Sequence, residues 1–589
     1  MISSDSAMMV SVVIPTYNRR KSLERCLSSL ASQSFPASGY EVIVVSDGCT
    51  DDTLELLGRF APPFTFRWLE QANQGAPAAQ NLGVAAAKGD VILFLDDDCV
   101  CGPDVIAAHR DAHAQGGQFV AIGPVLLHPE SPRGTLQDVV SDLEKAEWQR
   151  LSAEGPRRSD MMLCANSSLS RQAALECRFD TTYKRMHDVE AGIRLWAKGY
   201  RPRFVPGAIV YELYTKSESA MLRDSYLHGK YEVLLSNNHP SFKPLTGIAN
   251  INNANPLKRA VRKQLAGHAI FSGFVLAMAG SFADSLRRLP VFRRVAKRIL
   301  RARAGIAHLR GAIQEAGSWR ILQERFGKRV PVIMFHNVGT PHLGEYPGLT
   351  TPMAEFETQI SFLAKLGYTG IRPSEWLQWR DAGGTLPERP VILVFDDAYA
   401  EACRNAFPLL ERCGFVAACM VVTRCIGSTN RWDEEVGLPS FQLMSRGEIL
   451  EWSKRGIEFG GHSCHHPELP FVEDERLELE IAQCKDDLTA LLGKVPASFA
   501  YPFGAVSPRV EAAVRNHFEI AFTAWQGTLH LGTNPHLAPR IQFVPGETRF
   551  GIWCRLRLGR NLLETFRGRW ARLAGKTGRG PTTGHALPA

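Results

Sequence analysis

The sequence predicts an α/β protein in two parts: a parallel sheet of βαβ units in the first half and a barrel of parallel strands in the second, joined by a basic helical connector. Three observations lead there. Over residues 10–115, strand-like apolar runs (VSVVIP, YEVIVVSD, FTFRWLE, DVILFLD) alternate with helical patterns at Ser22–Ala31 and Asn81–Lys88. The rhythm restarts at VPVIMFHNV and continues through GYTGI, PVILVFDD, FVAACMVV, IEFGGHS, PASFAYPFG and IAFTAW, as in a barrel. In both halves a buried-type strand runs straight into acids, VILFLDDDCV at Val91–Val100 and VILVFDDAYA at Val391–Ala400. Carboxylates crowded at a strand end repel one another and lose hydration, so each cluster needs something positive to hold.

The bulk properties fit this division. A chain of 589 residues is too long for one core. Its 45% hydrophobic and 22% charged residues argue against disorder and fibrous classes. The net charge of +8 is mild for this length and no nucleic-acid motif is present, so no nucleic-acid partner is expected. Thirteen cysteines, an odd number, lie scattered without a paired framework; Cys99, Cys164 and Cys419 sit in apolar runs. That usage favours a reducing, cytoplasmic setting. The N-terminal MISSDSAMMVSVVIPTYN lacks a basic region ahead of its apolar run and reads as a first strand, not a secretory signal.

The elements then follow in order. Residues 1–235 form the first domain, with Asp47 and Asp96 to Asp98 at strand C-termini, where parallel sheets bind ligands. Residues 236–329 are basic and helical. Within them Leu265–Ala283 carries no formal charge, while residues 255–303 hold twelve Lys or Arg and one acid, Asp284. Rich in Gly, Ala and Ser, the uncharged run suits a connecting helix on an anionic membrane surface better than a bilayer span. Residues 330–555 form the second domain, and 556–589 read as a basic helix with a disordered end.

In the first half, strand alternation puts Asp96 and Asp98 on one side, with Asp97 opposite or outward. Two carboxylates cannot bind a departing diphosphate, but they can hold a divalent cation that does. Asp47, on the neighbouring strand end, can accept hydrogen bonds from a uracil or ribose. Six blocks in order now carry a resemblance: SVVIPTYNR, VVSDGCTDDT, NQGAPAAQNLGVAAAKGD, FLDDD, CANSSLSR and HDVEAGIRLWAKGYRPRFVPGAIVY. Residues 10–235 resemble a family 2 glycosyltransferase of the Rossmann-like GT-A fold. The resemblance implies that Pro15, Tyr17 and Asp47 line a nucleotide-sugar pocket and that Asp96 contacts the ribose or the metal. It makes Asp98 a ligand for Mn2+ or Mg2+, and Asp188 the base that deprotonates an acceptor hydroxyl with inversion. The family's usual Glu-Asp is His187-Asp188 here, and its histidine after the later strand is replaced by the neighbourhood of Glu212.

In the second half, Asp396-Asp397 at a strand end is followed by GGHSCHHPEL and then AYPFG at 500–504. His462 and His466, four apart, share a face on a helical turn and with Asp397 offer two nitrogens and one oxygen to a zinc-type cation. Asp396 beside them can take a proton. Cys464 is expected off the histidine face and His465 to be a bystander. This half resembles a polysaccharide deacetylase of the NodB-homology type, carbohydrate esterase family 4, over roughly 330–550. The resemblance implies Asp396 as base, Asp397, His462 and His466 as ligands for Zn2+ or a similar metal, and the Tyr501 backbone as oxyanion donor. Three departures stand out. Ala398 replaces a glycine, the third motif lacks its leading arginine, and the late histidine motif has no counterpart, so His336 at a strand end becomes the substitute acid. The combined expectation is an enzyme that transfers sugar from a nucleotide donor, UDP-linked, to a glycan or lipid-linked acceptor and N-deacetylates an amino sugar. The alternative is a transferase whose barrel binds sugar without hydrolysing it.

Overall fold

The computed structural model describes residues 8–161, 164–250, 264, 269–285, 289–346 and 348–559. Residues 265–268 of the uncharged run and 560–589 of the basic tail therefore lie outside the described residues. The chain divides into two compact units, residues 1–248 with 255–322, and 249–254 with 323–589.

The first unit is built on a seven-stranded sheet in the order Thr65–Gln71, Tyr40–Asp47, Val10–Thr16, Val91–Leu95, Asn166–Ser170, Phe119–Ile122 and Arg201–Phe204. The first four strands are parallel, and Asn166–Ser170 runs antiparallel to both its neighbours. Every residue of Val10–Thr16, Tyr40–Asp47 and Val91–Leu95 is buried, as continuous apolar runs require when helices cover both faces. Alternation sorts them: Val12 and Ile14 enter the core beneath helix Arg20–Leu30, while Val13, Ile43 and Val45 enter the core on the other face. Arg20–Leu30 buries Leu23, Cys26, Leu27 and Leu30, the 3-and-4 spacing of a single stripe. The second helix spans Ala76–Ala86, starting five residues before the expected Asn81 because Pro77 suits a first helical turn. It lies close to the sheet at Gly83, where a Cβ would come within 2.4 Å of Val13.

A small sheet of Cys99–Cys101, Val210–Glu212 and Val125–Leu127 brings Glu212 opposite Cys99. Helices Glu218–Asn238, Ala269–Ser285 and Pro290–Ala316 complete the unit. Glu218–Asn238 and Pro290–Ala316 pack so closely that a Cβ on Gly229 or Gly311 would overlap the facing carbonyl of His308 or Tyr226. His308 reaches Glu232 at 3.2 Å, and Glu232 also accepts the amides of Gly247 and Ile248.

The second unit is a closed barrel of seven parallel strands: Val332–Phe335, Ala538–Gln542, Ile520–Gln526, Ser498–Ala500, Glu458–Gly461, Ala418–Val421 and Pro390–Phe395, which pairs again with Val332–Phe335. The GYTGI segment contributes only Thr369–Gly370, paired outside the ring. Its place is taken by Ala538–Gln542, a strand the apolar pattern did not reveal because Pro539 and Arg540 interrupt it.

Candidate functional sites

In the first unit, Thr16 pairs with Ser46 across two strand ends, so Pro15, Tyr17 and Asp47 open on one rim. Pro15 is buried and the Tyr17 ring is half exposed. Asp47 is buried and accepts from Gln71 Nε2 at 2.7 Å and from the amides of Gln74 and Gly75 at 2.8 Å. Three of a carboxylate's roughly four acceptor positions are thus spent on the following loop. The triple aspartate lies in a turn beyond the strand end at Leu95, so strand alternation does not sort it. Asp97 is buried and accepts from Thr16 Oγ1 at 2.8 Å. Arg19 donates to Asp97 at 2.9 Å and to Asp98 at 2.6 Å, supplying the positive partner the cluster needed.

Burial, followed by the fields of Asp98, Asp97, Glu212 and Asp188, pushes the Asp96 carboxyl up to about 8. Burial and Asp98 push Glu212 up to about 7 against Lys216 and Arg19. The Asp98 carbonyl accepts the Leu213 amide at 3.0 Å, which fixes Glu212 beside the cluster. Asp188 stands in the first turn of helix His187–Ala197, whose entry residue Met186 is left-handed. His187 is held by Gln80 Oε1 at 3.0 Å and by an edge contact with Phe179. Asp96, Asp98, Asp188 and Glu212 thus contribute to one negative field, and their hard oxygens suit Mg2+ or Mn2+.

In the barrel, Asp397 Oδ1 lies 3.3 Å from His462 Nε2 and 3.3 Å from His466 Nε2. No other three His, Cys, Asp or Glu among the described residues bring ligand atoms within 4.8 Å of one another. All three residues are buried, and Asp397 Oδ1 has no hydrogen-bond partner. His462 Nδ1 donates to the Ala500 carbonyl at 2.7 Å, which fixes its tautomer and leaves Nε2 as a lone-pair donor. Burial alone would raise the Asp397 carboxyl, but the two imidazoles hold it well below the usual range. Burial pushes His466 down; at His462 it is overcome by Asp397 and Asp396. This set of two nitrogens and one oxygen, with an orphaned buried carboxylate atom at its centre, fits a divalent cation.

The expected helical turn is absent. His462–His466 is a loop in which Ser463 (φ 64°) and His466 (φ 63°) are left-handed, and this brings the two rings together. Cys464 points off the histidine face, with its amide on Glu480, and His465 pairs with Glu480. Asp397, Ala398 and Phe503 are left-handed too. The remaining non-glycine residues with positive φ, among those described, are Asn18 and Met186, beside Tyr17 and His187-Asp188. Among the described residues, left-handed non-glycine backbone is confined to the two candidate sites.

Asp396 takes both oxygens to Arg540 Nη1, at 2.8 and 2.7 Å, and Arg540 Nε donates to the Thr523 carbonyl. Both side chains are almost wholly buried. Arg540, and not a residue ahead of AYPFG, is the arginine that holds Asp396; its place in the LAPRIQF run was its one sequence signal. His336 follows a strand in register with Pro390–Phe395, Phe335 opposite Phe395, so it stands beside Asp396. Its Nδ1 is buried without a partner, and it contributes to the field at Asp433. Of the other candidate acids, His517 pairs with Glu478 and His536 Nε2 with the Phe518 carbonyl, while His530, on a short strand paired with Arg329–Val330, keeps a buried Nδ1 without a partner. Tyr501 departs from expectation. Its amide donates to the Phe522 carbonyl at 3.1 Å and its hydroxyl to the His536 carbonyl at 2.8 Å, so the barrel ladder has taken the donor meant for an oxyanion.

Residues 11–174 match the family model described as Glycosyl transferase family 2, and residues 383–518 that described as Polysaccharide deacetylase. The first half is 39% identical over 92 residues to glycosyltransferase AglE of Haloferax volcanii, covering 15% of this chain and 30% of that protein. It is 31% identical over 159 residues to validoxylamine A glucosyltransferase of Streptomyces hygroscopicus, covering 26% and 38%. The chain thus spans about a third of the length of these transferase relatives. Among solved structures, polysaccharide deacetylase BC0361 of Bacillus cereus is 22% identical, with 39% of this chain and 69% of that one aligned at a TM-score of 0.33.

Proposed function

Because the chain carries a family 2 glycosyltransferase domain and a polysaccharide deacetylase domain, we propose that it is a bifunctional enzyme of glycan biosynthesis. Residues 1–235 transfer a sugar from a nucleotide donor, UDP-linked, to a glycan or lipid-linked acceptor. Residues 330–555 remove the acetyl group from an amino sugar, with 236–329 as connector and 556–589 as basic tail. The enzyme works in the cytoplasm, where nucleotide sugars are made, at the inner face of the cell membrane.

In the transferase, Pro15, Tyr17 and Asp47 bind the nucleotide, Asp96 meets the ribose or the cation, and Asp98 holds Mn2+ or Mg2+ with Glu212 close by. A bound cation there supplies positive charge for the departing diphosphate. Arg19 bridges Asp97 and Asp98, so a cation held by Asp98 would take over the charge that Arg19 now neutralises there. Asp188 takes the proton of the acceptor hydroxyl as its oxygen attacks the anomeric carbon from the opposite side.

In the deacetylase, Asp397, His462 and His466 hold Zn2+ or a similar ion, which supplies a Lewis acid for the acetyl carbonyl and the attacking water. Asp396, fixed by Arg540, takes the water's proton as its oxygen bonds to the amide carbon. His336 gives a proton to the departing nitrogen, and acetate leaves. An oxyanion contact from Tyr501 requires its amide to swing off Phe522.

The buried Asp397–His462–His466 cluster, backed by the Asp396–Arg540 pair, carries this reading. The test is acetate release from N-acetylglucosamine oligomers by the zinc-loaded chain, with UDP release measured alongside. Asp396→Asn is expected to stop acetate release alone; Asp98→Ala and Asp188→Ala are expected to stop UDP release alone. A zinc-loaded chain that frees no acetate supports a sugar-binding barrel instead.

A further inference from the structure

Helices Ala269–Ser285 and Pro290–Ala316 carry a surface that neither reaction uses. Phe274, Met278 and Phe282 recur every fourth residue on one stripe of the first helix and are 66, 61 and 63% exposed. Leu289, Val291 and Val295 are exposed too and extend the apolar surface over the start of the second helix, where Phe292 meets Phe282 edge to face. A contiguous run of large apolar side chains on a surface marks a docking site.

The same helix start borders a cavity of about 930 Å3. Arg133 and Lys145 line it from helix Thr135–Glu154 and the turn before it; Arg293, Arg294 and Lys297 line it from Pro290–Ala316. Asp138 is the one acid among the described lining residues. Arg293 is spent on Asp138 and Lys297 on Asp142. Arg133, Lys145 and Arg294 form no ion pair among the described residues, so the cavity keeps an unmet positive field.

We propose that this helix pair is the docking surface for a membrane bearing anionic phospholipids: the apolar stripe enters the interface and the cavity receives lipid phosphates. Apolar and basic residues interleave along one helix (Val291, Arg293, Arg294, Val295, Lys297), the mixture an anionic interface selects. A soluble anion would explain the cavity but leave the stripe wet. A second copy would cover the stripe but bring two positive fields together. Seventeen residues of helix reach about 25 Å, short of the roughly 30 Å hydrocarbon core. Among the described residues no helix is long and apolar enough to cross a membrane. The inference rests on the membrane-face part of the reading above and on neither reaction.

The experiment is sedimentation of the full chain with vesicles of phosphatidylglycerol and phosphatidylcholine, against phosphatidylcholine alone. Binding is expected only to the anionic vesicles and is expected to fall with salt. Arg294→Glu, and Phe274→Ser with Phe282→Ser, should each weaken it about tenfold, with UDP and acetate release on soluble substrates unchanged. The salt titration of the unaltered chain guards against a variant that fails to fold. Equal binding to neutral vesicles, no binding to anionic ones, or unaltered binding by the variants overturns the proposal. So does a dimer that the serine variants dissolve; release from anionic vesicles by inorganic phosphate beyond that by chloride of the same ionic strength is the result expected when lipid phosphates fill the cavity. Loss of either reaction in the unaltered chain would count against the proposed function and leave this surface standing.

Discussion

Asp396 and Arg540 are 144 residues apart in the chain and 2.7 Å apart in the barrel. Taking away one member of a buried pair strands the other's charge, at about 3–5 kcal/mol. Arg540→Met is therefore expected to cost the barrel about that much in urea unfolding and to end acetate release, while zinc still binds. The strand-end acids were legible because an unbroken apolar run that ends in carboxylates announces where a buried strand stops. Arg540 was not, since no local spacing reports a partner so distant. The triple aspartate adds a pH dependence. Burial and its neighbours push Asp96 up to about 8, and burial with Asp98 pushes Asp97 up to about 6 against Arg19 and Thr16. Unfolded, such groups titrate near about 4. Between those values the folded chain holds the extra protons, so their contribution is complete below about pH 4 and is lost as pH rises through 6 to 8. Calorimetry of the metal-free chain should show the first unit melting lower at pH 8 than at pH 6, with Mn2+ restoring more at pH 8. A flat profile would remove the buried acid cluster from consideration as a cation site.

Elements succeeded and failed for separable reasons. Three parallel strands of the first unit were legible because both their faces are covered and their runs are mostly apolar. The histidine pair was found for the wrong reason: four residues suggested a helical turn, whereas two left-handed residues in a loop bring the rings together. Such conformations leave little trace in composition, because Ser463 and His466 are not glycine. Ala538–Gln542 stayed hidden because its polar members face the barrel's interior chemistry. The crossing of Glu218–Asn238 with Pro290–Ala316 gives a sharper test. A methyl at position 311 would sit 1.8 Å from the Tyr226 carbonyl oxygen, backbone that cannot rotate aside. Gly311→Ala should destabilise the first unit by about 1–3 kcal/mol, read as a lower melting temperature; an unchanged melt would mean that the two helices separate easily.

At the scale of the whole molecule, the division into two units predicts two thermal transitions. Zinc at about a hundredfold over its dissociation constant should raise the second alone, by about 2.7 kcal/mol, and a chelator should reverse it. No disulfide forms among the described residues, and twelve of the thirteen cysteines are buried. Reductant is thus expected to leave both transitions in place. The order of the barrel strands has a further consequence. Its first strand, Val332–Phe335, lies between Pro390–Phe395 and Ala538–Gln542, the last to be synthesised. While the ribosome is still at work, the first unit has all its strands long before this ring can shut. A growing barrel waits with two raw edges and with Asp396 lacking its counterion. A stalled or truncated transcript ending before Ala538 should therefore yield a competent first unit tethered to a chaperone-dependent second.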